Sequence, residues 1–150
     1  MEKLFKHGIN LNNPAISILY KESKNKILSK SNDFIKVFEN YYTLKVSLFD
    51  GLIDCDMDLH FKDDKLVEIE FCKPNPVKSK DAKAHYKEIQ KHLETHLGKG
   101  EEIPNILDVV NQTKSDQIKF VWELEEATVI HKLIHELAYE ESVIIKIKAY

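Results

Sequence analysis

A strictly alternating segment, Ile53–Phe61, constrains this chain more than any other stretch of it. Successive side chains of a β-strand point to opposite faces of a sheet, so alternation separates a segment into two rows. The first row is Ile53, Cys55, Met57, Leu59 and Phe61, and the second is Asp54, Asp56, Asp58 and His60. The pattern therefore predicts a strand with one face in the core and an acidic outer face.

The flanking turns extend this strand into a three-stranded antiparallel meander over Tyr41–Cys72. Asp50-Gly51 is typical of a type I′ hairpin turn, which places Leu48 opposite Ile53. Every inward pair in that register is apolar, so the turn and the burial pattern agree. For the second turn, around Asp63-Asp64-Lys65, a three-residue loop keeps the faces separate. It pairs Phe61 with Val67, Leu59 with Ile69 and Met57 with Phe71.

The same register collects acidic side chains on the outer face. Asp58 lies opposite Glu70, His60 lies opposite Glu68, and Lys45 opposite Asp56 is the cation supplied by the first strand. Directly opposed like charges destabilise a sheet by up to about 1 kcal/mol per pair, so such a patch favours a cationic partner. The predicted partner-binding residues, called the acidic face below, are Asp54, Asp56, Asp58, His60, Glu68 and Glu70. The alternative is an ordinary solvated face over which neighbouring lysines lean.

Composition narrows the class of partner. The chain has 150 residues, the size of a single domain, 1–150, and a net charge of −3. All of its 22 basic residues are lysine. Arginine supplies the bidentate fork that reads guanine and clamps phosphate, so the sequence argues against nucleic-acid recognition.

The N-terminal segment and the two cysteines bear on the cellular compartment in which the protein is found. Met1–Leu11 has no apolar run of signal-peptide length, and no segment is long enough to span a membrane. Cys55 is expected in the core and Cys72 on the outer face, so a disulfide between them is geometrically poor. Free thiols suit a reducing environment, and the predicted location is the cytoplasm, with no membrane partner.

The rest of the chain predicts an α+β fold. Asn13-Pro14 is typical of a helix start, which predicts a helix over Ala15–Ser23, although Ile16, Ile18 and Tyr20 could also alternate as a strand. Helical spacing and a following Gly98 predict a second helix over Lys80–Leu97. The other predicted elements are a strand or meander start at Phe34–Phe38, a helical turn or two after Pro104 within Lys99–Asp116, and strands at Gln117–Leu124, Ala127–Glu136 and Ser142–Ala149. Ala127–Glu136 is apolar on both faces, which indicates an internal strand.

These elements repeat one order, a helix followed by three antiparallel strands, without residue identity between the repeats. The prediction is an antiparallel sheet of six or seven strands. It is built from two helix-plus-three-strand halves, 13–73 and 79–150, with the helices packed on one face.

Motifs for catalysis are few. The sequence has neither a Gly-x-Ser-x-Gly nucleophile motif nor a glycine-rich phosphate loop. His85, His92 and His96 fall on one stripe of the predicted helix, and the i, i+4 spacing of the last two can chelate a metal ion. The alternative is a helix border whose imidazole rings pack while their nitrogens are hydrated. No cofactor is predicted.

We therefore expect a non-catalytic binding protein that neutralises a basic partner protein through the acidic face, such as a bacterial toxin-immunity protein. The first alternative is an enzyme that binds a metal or small ligand through the helix histidines. The second is a structural protein that oligomerises through a sheet edge, for which Val143–Ala149 is the candidate strand.

Overall fold

The computed structural model describes residues 4–73, 79–103, 116–135 and 139–148. Within these ranges it contains ten strands and two helices. They are β1 (Gly8–Asn12), β2 (Ala15–Leu19), α1 (Lys24–Leu28), β3 (Ile35–Phe38), β4 (Tyr41–Leu48), β5 (Ile53–Lys62), β6 (Lys65–Cys72), α2 (Ser79–Leu97), β7 (Glu101–Glu102), β8 (Asp116–Glu123), β9 (Ala127–His135) and β10 (Tyr139–Ile147). The helical turn predicted after Pro104 lies outside the described residues.

Eight of the strands form one antiparallel sheet in the order β3-β4-β5-β6-β10-β9-β8-β7, and β1 and β2 form a separate hairpin. The central pairing joins β6 to β10, which are distant in sequence. Ile89 and Leu93 of α2 belong to the same buried cluster as Met57, Leu59 and Ile145 of the sheet. The core therefore lies between α2 and the apolar face of the sheet, and the acidic face lies on the other side.

The predicted fold class is wrong. The chain does not divide into two helix-plus-three-strand halves, because the first part begins with a strand hairpin and a five-residue helix. The sheet also has eight strands rather than six or seven. The molecule is mostly antiparallel sheet, with α2 as the one long helix in the described residues.

The main cause is Ala15–Ser23, which was predicted as a helix. Ala15–Leu19 is strand β2, and Asn13-Pro14 forms the turn that joins it to β1. Alternation directs Ile18 and Tyr20 into the core, where both are fully buried. Burial of these large side chains outweighs the local helix-start signal, which is worth only about 1 kcal/mol.

Helix α1 lies instead in the polar stretch that follows. Ser23 caps it, because its hydroxyl accepts a hydrogen bond from the Lys26 backbone N–H, and Ile27 is fully buried. One buried residue in a capped turn is enough to attach this short helix to the core.

The predicted helix over Lys80–Leu97 is confirmed as α2. Ala82, Tyr86, Ile89 and Leu93 are buried, and Leu97 is half-buried. Gly98 ends the helix with a φ of 85°, and its N–H donates to the Glu94 carbonyl. Across the described residues, no helix combines the length and the apolar character that a membrane span requires.

The predicted meander is confirmed, with one correction at its second turn. Leu48 pairs with Ile53 and Leu59 with Ile69, as expected. Phe61, however, pairs with Leu66 rather than Val67. Asp63 and Asp64 both have positive φ and form a two-residue turn. A bulge beside His60 absorbs the extra residue, so that the acidic pairs keep their register.

The sheet edges also differ from the prediction. Strand β10, which contains most of the expected edge Val143–Ala149, lies inside the sheet between β6 and β9. The edges are β3 and β7. Strand β9 is internal, as its two apolar faces predicted.

Candidate functional site

The acidic face is assembled as the alternation predicted. Asp58 pairs with Glu70, His60 with Glu68, and Lys45 with Asp56. Asp54 and His60 are exposed, while Asp56, Asp58, Glu68 and Glu70 are half-buried. Half-burial matters because a partly desolvated carboxylate interacts more strongly with other charges than a fully hydrated one.

The face has cationic neighbours that the sequence did not reveal. Lys146 of β10 lies opposite Glu68, and Lys132 of β9 is near enough to act electrostatically on Glu70. Burial nevertheless raises the pKa of Glu70, and Asp58 and Glu68 add to the rise while Lys132 opposes it. Within the described ranges, no lysine nitrogen comes within 4.0 Å of any carboxylate of the acidic face. Its negative charge is therefore only partly compensated.

Cys72 and Tyr41 complete the centre of this face. The Cys72 thiol donates to an Asp58 oxygen at 3.6 Å. Burial and the nearby carboxylates of Asp58 and Glu70 raise the pKa of Cys72 to about 12. Burial and Asp58 likewise raise the pKa of the Tyr41 hydroxyl. Both groups stay protonated at neutral pH, so the Cys72 thiol can donate its hydrogen bond to Asp58.

A shallow cavity lies at one end of the acidic face. It has a volume of about 270 Å³, and its polar lining includes Asn13, Lys45, Ser47, Asp54 and Asp56. Asn13 reaches it because the turn of the β1–β2 hairpin bridges to Ser47 of β4. Its two carboxylates accept hydrogen bonds and suit a ligand group that donates them, such as the head of a basic side chain, while Lys45 offsets part of their charge.

A second polar group lies between α2 and the sheet, on the core side. It is called the histidine–glutamate cluster and consists of His85, Gln90, His131 and Glu141. The Glu141 carboxylate accepts from His131 Nε2 at 2.6 Å and lies 2.8 Å from His85 Nδ1. His131 Nδ1 lies 2.8 Å from the side-chain amide oxygen of Gln90. The cluster therefore links α2 to both β9 and β10.

His131 is the most enclosed member of the cluster, with a relative exposure of 0%. The Tyr86 ring stacks on its imidazole with centroids 3.9 Å apart, and the Tyr86 hydroxyl donates to the His131 carbonyl. Burial lowers the pKa of His131, although the hydrogen bond to Glu141 opposes the shift. Burial alone would raise the pKa of Glu141, but the hydrogen bonds from the two histidines outweigh it and lower that pKa.

The three helix histidines do not meet at one point. His85 contacts Glu141, about two helical turns from His92 and about three from His96. The rings of His92 and His96 are 4.7 Å apart, and the His92 ring also packs 4.2 Å from that of Phe49. Among the residues that the structure describes, no group of three or more His, Cys, Asp or Glu side chains could hold a metal ion.

The predicted strand Ala127–Glu136 contains His131, but the sequence analysis did not predict its partner Glu141. In the sequence, His131 lies between two residues that face the core, Val129 and Leu133. A polar side chain at such a position needs a hydrogen-bond partner, and this indicated that a partner exists. Glu141 precedes the predicted start of the last strand, yet β10 begins at Tyr139 and brings Glu141 onto the core side. The side chain of His135 is not among those described.

Comparison with known proteins finds no match to this chain among protein families, curated proteins or solved structures. The function is therefore argued from the geometry above.

Proposed function

We propose that this chain is a binding protein whose acidic face captures a basic protein partner. The observation that supports the proposal is the set of five carboxylates on two adjacent strands, without a lysine nitrogen within 4.0 Å in the described part of the chain. Opposed pairs such as Asp58 and Glu70 cost folding free energy, and a cationic partner would remove that cost. Complementary charge would also speed association and make it sensitive to salt.

The specific form that we favour is an inhibitor that covers a basic surface of a toxin domain, as a toxin-immunity protein does. A nuclease is a suitable target, because the surface that binds nucleic acid is rich in lysine and arginine. The half-buried carboxylates along β5 and β6 carry negative charge at fixed spacing, as do the phosphates of the nucleic acid that a nuclease binds.

A capture experiment tests the proposal. Wild-type protein and the variant Asp56→Lys/Asp58→Lys/Glu70→Lys are immobilised, exposed to lysate of the source organism, and compared by mass spectrometry. We expect a basic protein that only the wild type retains. The captured protein is then purified and its affinity measured at low and physiological salt, where it should weaken as salt rises.

The matched control is Glu88→Lys/Glu101→Lys/Glu125→Lys, which changes the net charge equally at exposed sites away from the acidic face. It should retain the partner. Equal capture by the wild type and the acidic-face variant would contradict the proposal, and equal loss from both variants would show that only net charge matters.

A further inference from the structure

Edge strand β3 carries unusually exposed apolar side chains. Ile35 is 63% exposed, Val37 45% and Phe38 68%. Among the described residues, Leu19 is the one other large apolar side chain with such exposure. Scattered single apolar residues need no explanation, but three neighbours on one edge strand form a patch of the kind that marks an interaction site.

The register places two residues of this patch, Ile35 and Phe38, on the same side of the sheet as the acidic face. Ile35 lies opposite Thr43, and Phe38 lies opposite Tyr41. Thr43 and Tyr41 in turn lie opposite Asp58 and His60 of the acidic face. Directly opposed residues share a face, so Ile35 and Phe38 are continuous with the acidic face.

Aromatic rings connect the two surfaces. The ring centroids of Phe38 and Tyr41 are 5.6 Å apart, and those of Tyr41 and His60 are 6.0 Å apart. This row crosses β3, β4 and β5 and ends beside Glu68. An aromatic face next to carboxylates favours a lysine or arginine side chain, because the ring attracts the cation while the carboxylate pairs with it.

We infer that Ile35, Phe38 and Tyr41 are the apolar anchor of the partner-binding surface, so the partner presents an amphipathic basic element rather than a purely polycationic one. This inference rests on the proposed function and specifies the chemistry of the partner. Buried aromatic anchors dominate binding energy in protein interfaces, while charges at the rim contribute mainly specificity and rate.

The geometry indicates how such an element lies. Neighbouring strands are about 4.8 Å apart, so β3 and β6 are separated by roughly 14 Å. A helix, with a diameter of about 10–12 Å including side chains, can contact both the apolar patch and the acidic face when it lies across them. A strand added to the outer edge of β3 would lie farther still from Asp58 and Glu70. The partner element therefore covers the face rather than extending the sheet.

Two synthetic peptides of equal length and equal lysine content test the inference. In one peptide, leucines at helical spacing form an apolar face. In the other, glutamine, which has a similar helix propensity, replaces each leucine. Calorimetry at physiological ionic strength should show the wild type binding the leucine peptide at least tenfold more tightly. Phe38→Ser should reduce this preference to within about twofold, while Leu19→Ser, at an exposed apolar site on the β1–β2 hairpin, should preserve it.

The outcomes separate the inference from the proposed function. Equal affinity for the two peptides, or an unchanged preference in Phe38→Ser, overturns the apolar anchor alone. If neither peptide binds, or if Asp56→Lys/Asp58→Lys/Glu70→Lys binds both as well as the wild type does, the acidic face itself is not a cation-binding surface and both proposals fail. Circular dichroism serves to check that each variant is folded. We expect Phe38→Ser and Leu19→Ser to fold, because both side chains are exposed.

Discussion

At the scale of single residues, Glu141 connects several elements in the buried interior. Its carboxylate bonds to His131 and His85, and its side chain is only 8% exposed. A buried carboxylate is tolerated only where hydrogen-bond donors replace water. Here the donors come from α2 and β9, so one residue of β10 holds three elements together.

We expect Glu141→Gln to lower the free energy of unfolding by about 2–3 kcal/mol, because hydrogen bonds to a charged group are worth about 1.5–3 kcal/mol each. An amide has one accepting oxygen, so one imidazole N–H would face an N–H group. Urea denaturation measures the change. Glu140→Gln, the same substitution at the exposed neighbouring position, is the control and should shift stability by less than about 0.5 kcal/mol. Equal effects at the two positions would contradict a buried role for Glu141.

The cluster also predicts a dependence on pH. The folded-state pKa values of His131 and Glu141 both lie below their ordinary values of 6.5 and 4.5. A lowered pKa means that the unfolded chain binds the proton more readily, so acid favours unfolding. These two groups should therefore contribute most stability above pH 6.5, and that contribution should be lost as the pH drops, first through His131 and then through Glu141.

The measurement is the urea midpoint between pH 7.5 and 5.0. The pKa of His92 is also lowered, by burial and by His96, so His92 adds a contribution of the same sign. His131→Gln should flatten the profile more than His92→Gln does, because His131 is fully buried and His92 is half-exposed. A steeper dependence of the urea midpoint on pH in His131→Gln than in the wild type would contradict this expectation.

At the scale of secondary-structure elements, the end of α2 is held against β8. Gly98 ends the helix, and its carbonyl accepts from Trp122 Nε1 at 2.8 Å. Two residues later, Gly100 lies so close to the indole ring that an added Cβ would be 2.7 Å from Trp122 Cε2. Glycine is required at 100 by the close approach of the backbone to this ring rather than by its φ angle.

Gly100→Ala should therefore lower the free energy of unfolding by about 1–3 kcal/mol, the usual cost of overpacking. Trp122 is the single tryptophan of the chain, so its fluorescence reports on the same contact directly. We expect a shifted emission maximum in the folded state. Lys99→Ala, between the two glycines and exposed, is the control and should change neither quantity. An unperturbed spectrum in Gly100→Ala would show that the ring and backbone are not in contact.

At the scale of the whole molecule, the two sides of the large sheet differ in chemistry. One side packs on α2, and the other carries the acidic face with its partial compensation by Lys132 and Lys146. Repulsion among carboxylates at this spacing is screened by salt, since the Debye length is about 10 Å at 0.1 M ionic strength.

We expect added sodium chloride to raise the stability of the wild type by up to about 1 kcal/mol, through screening of the acidic face. Asp58→Asn/Glu70→Gln should be more stable than the wild type at low salt and should respond less to salt. Urea denaturation at several salt concentrations measures both effects. If the double variant kept the full salt response, the repulsion would have to arise elsewhere.

Local patterns in the sequence were sufficient for part of this structure. Alternation over Ile53–Phe61 and the turn at Asp50-Gly51 determined the β4–β5 register, because side-chain faces and hairpin turns depend on neighbouring residues. The same reasoning predicted the acidic pairs and α2. It failed at Ala15–Ser23, where a helix-start signal and an alternating pattern compete, and burial of the alternating side chains makes Ala15–Leu19 a strand.

Long-range packing determines which distant segments meet. The pairing of β6 with β10 puts Lys146 opposite Glu68, and the packing of α2 on the sheet brings His85 to Glu141. Neither arrangement can be predicted from the local sequence. Likewise, β3 became an edge because nothing in the described chain pairs beyond it, which exposes Phe38 next to the acidic face. The faces of the strands follow from the local sequence, since the alternation of side chains is a local property of a strand. The order of the strands depends on how the whole chain buries those faces at once.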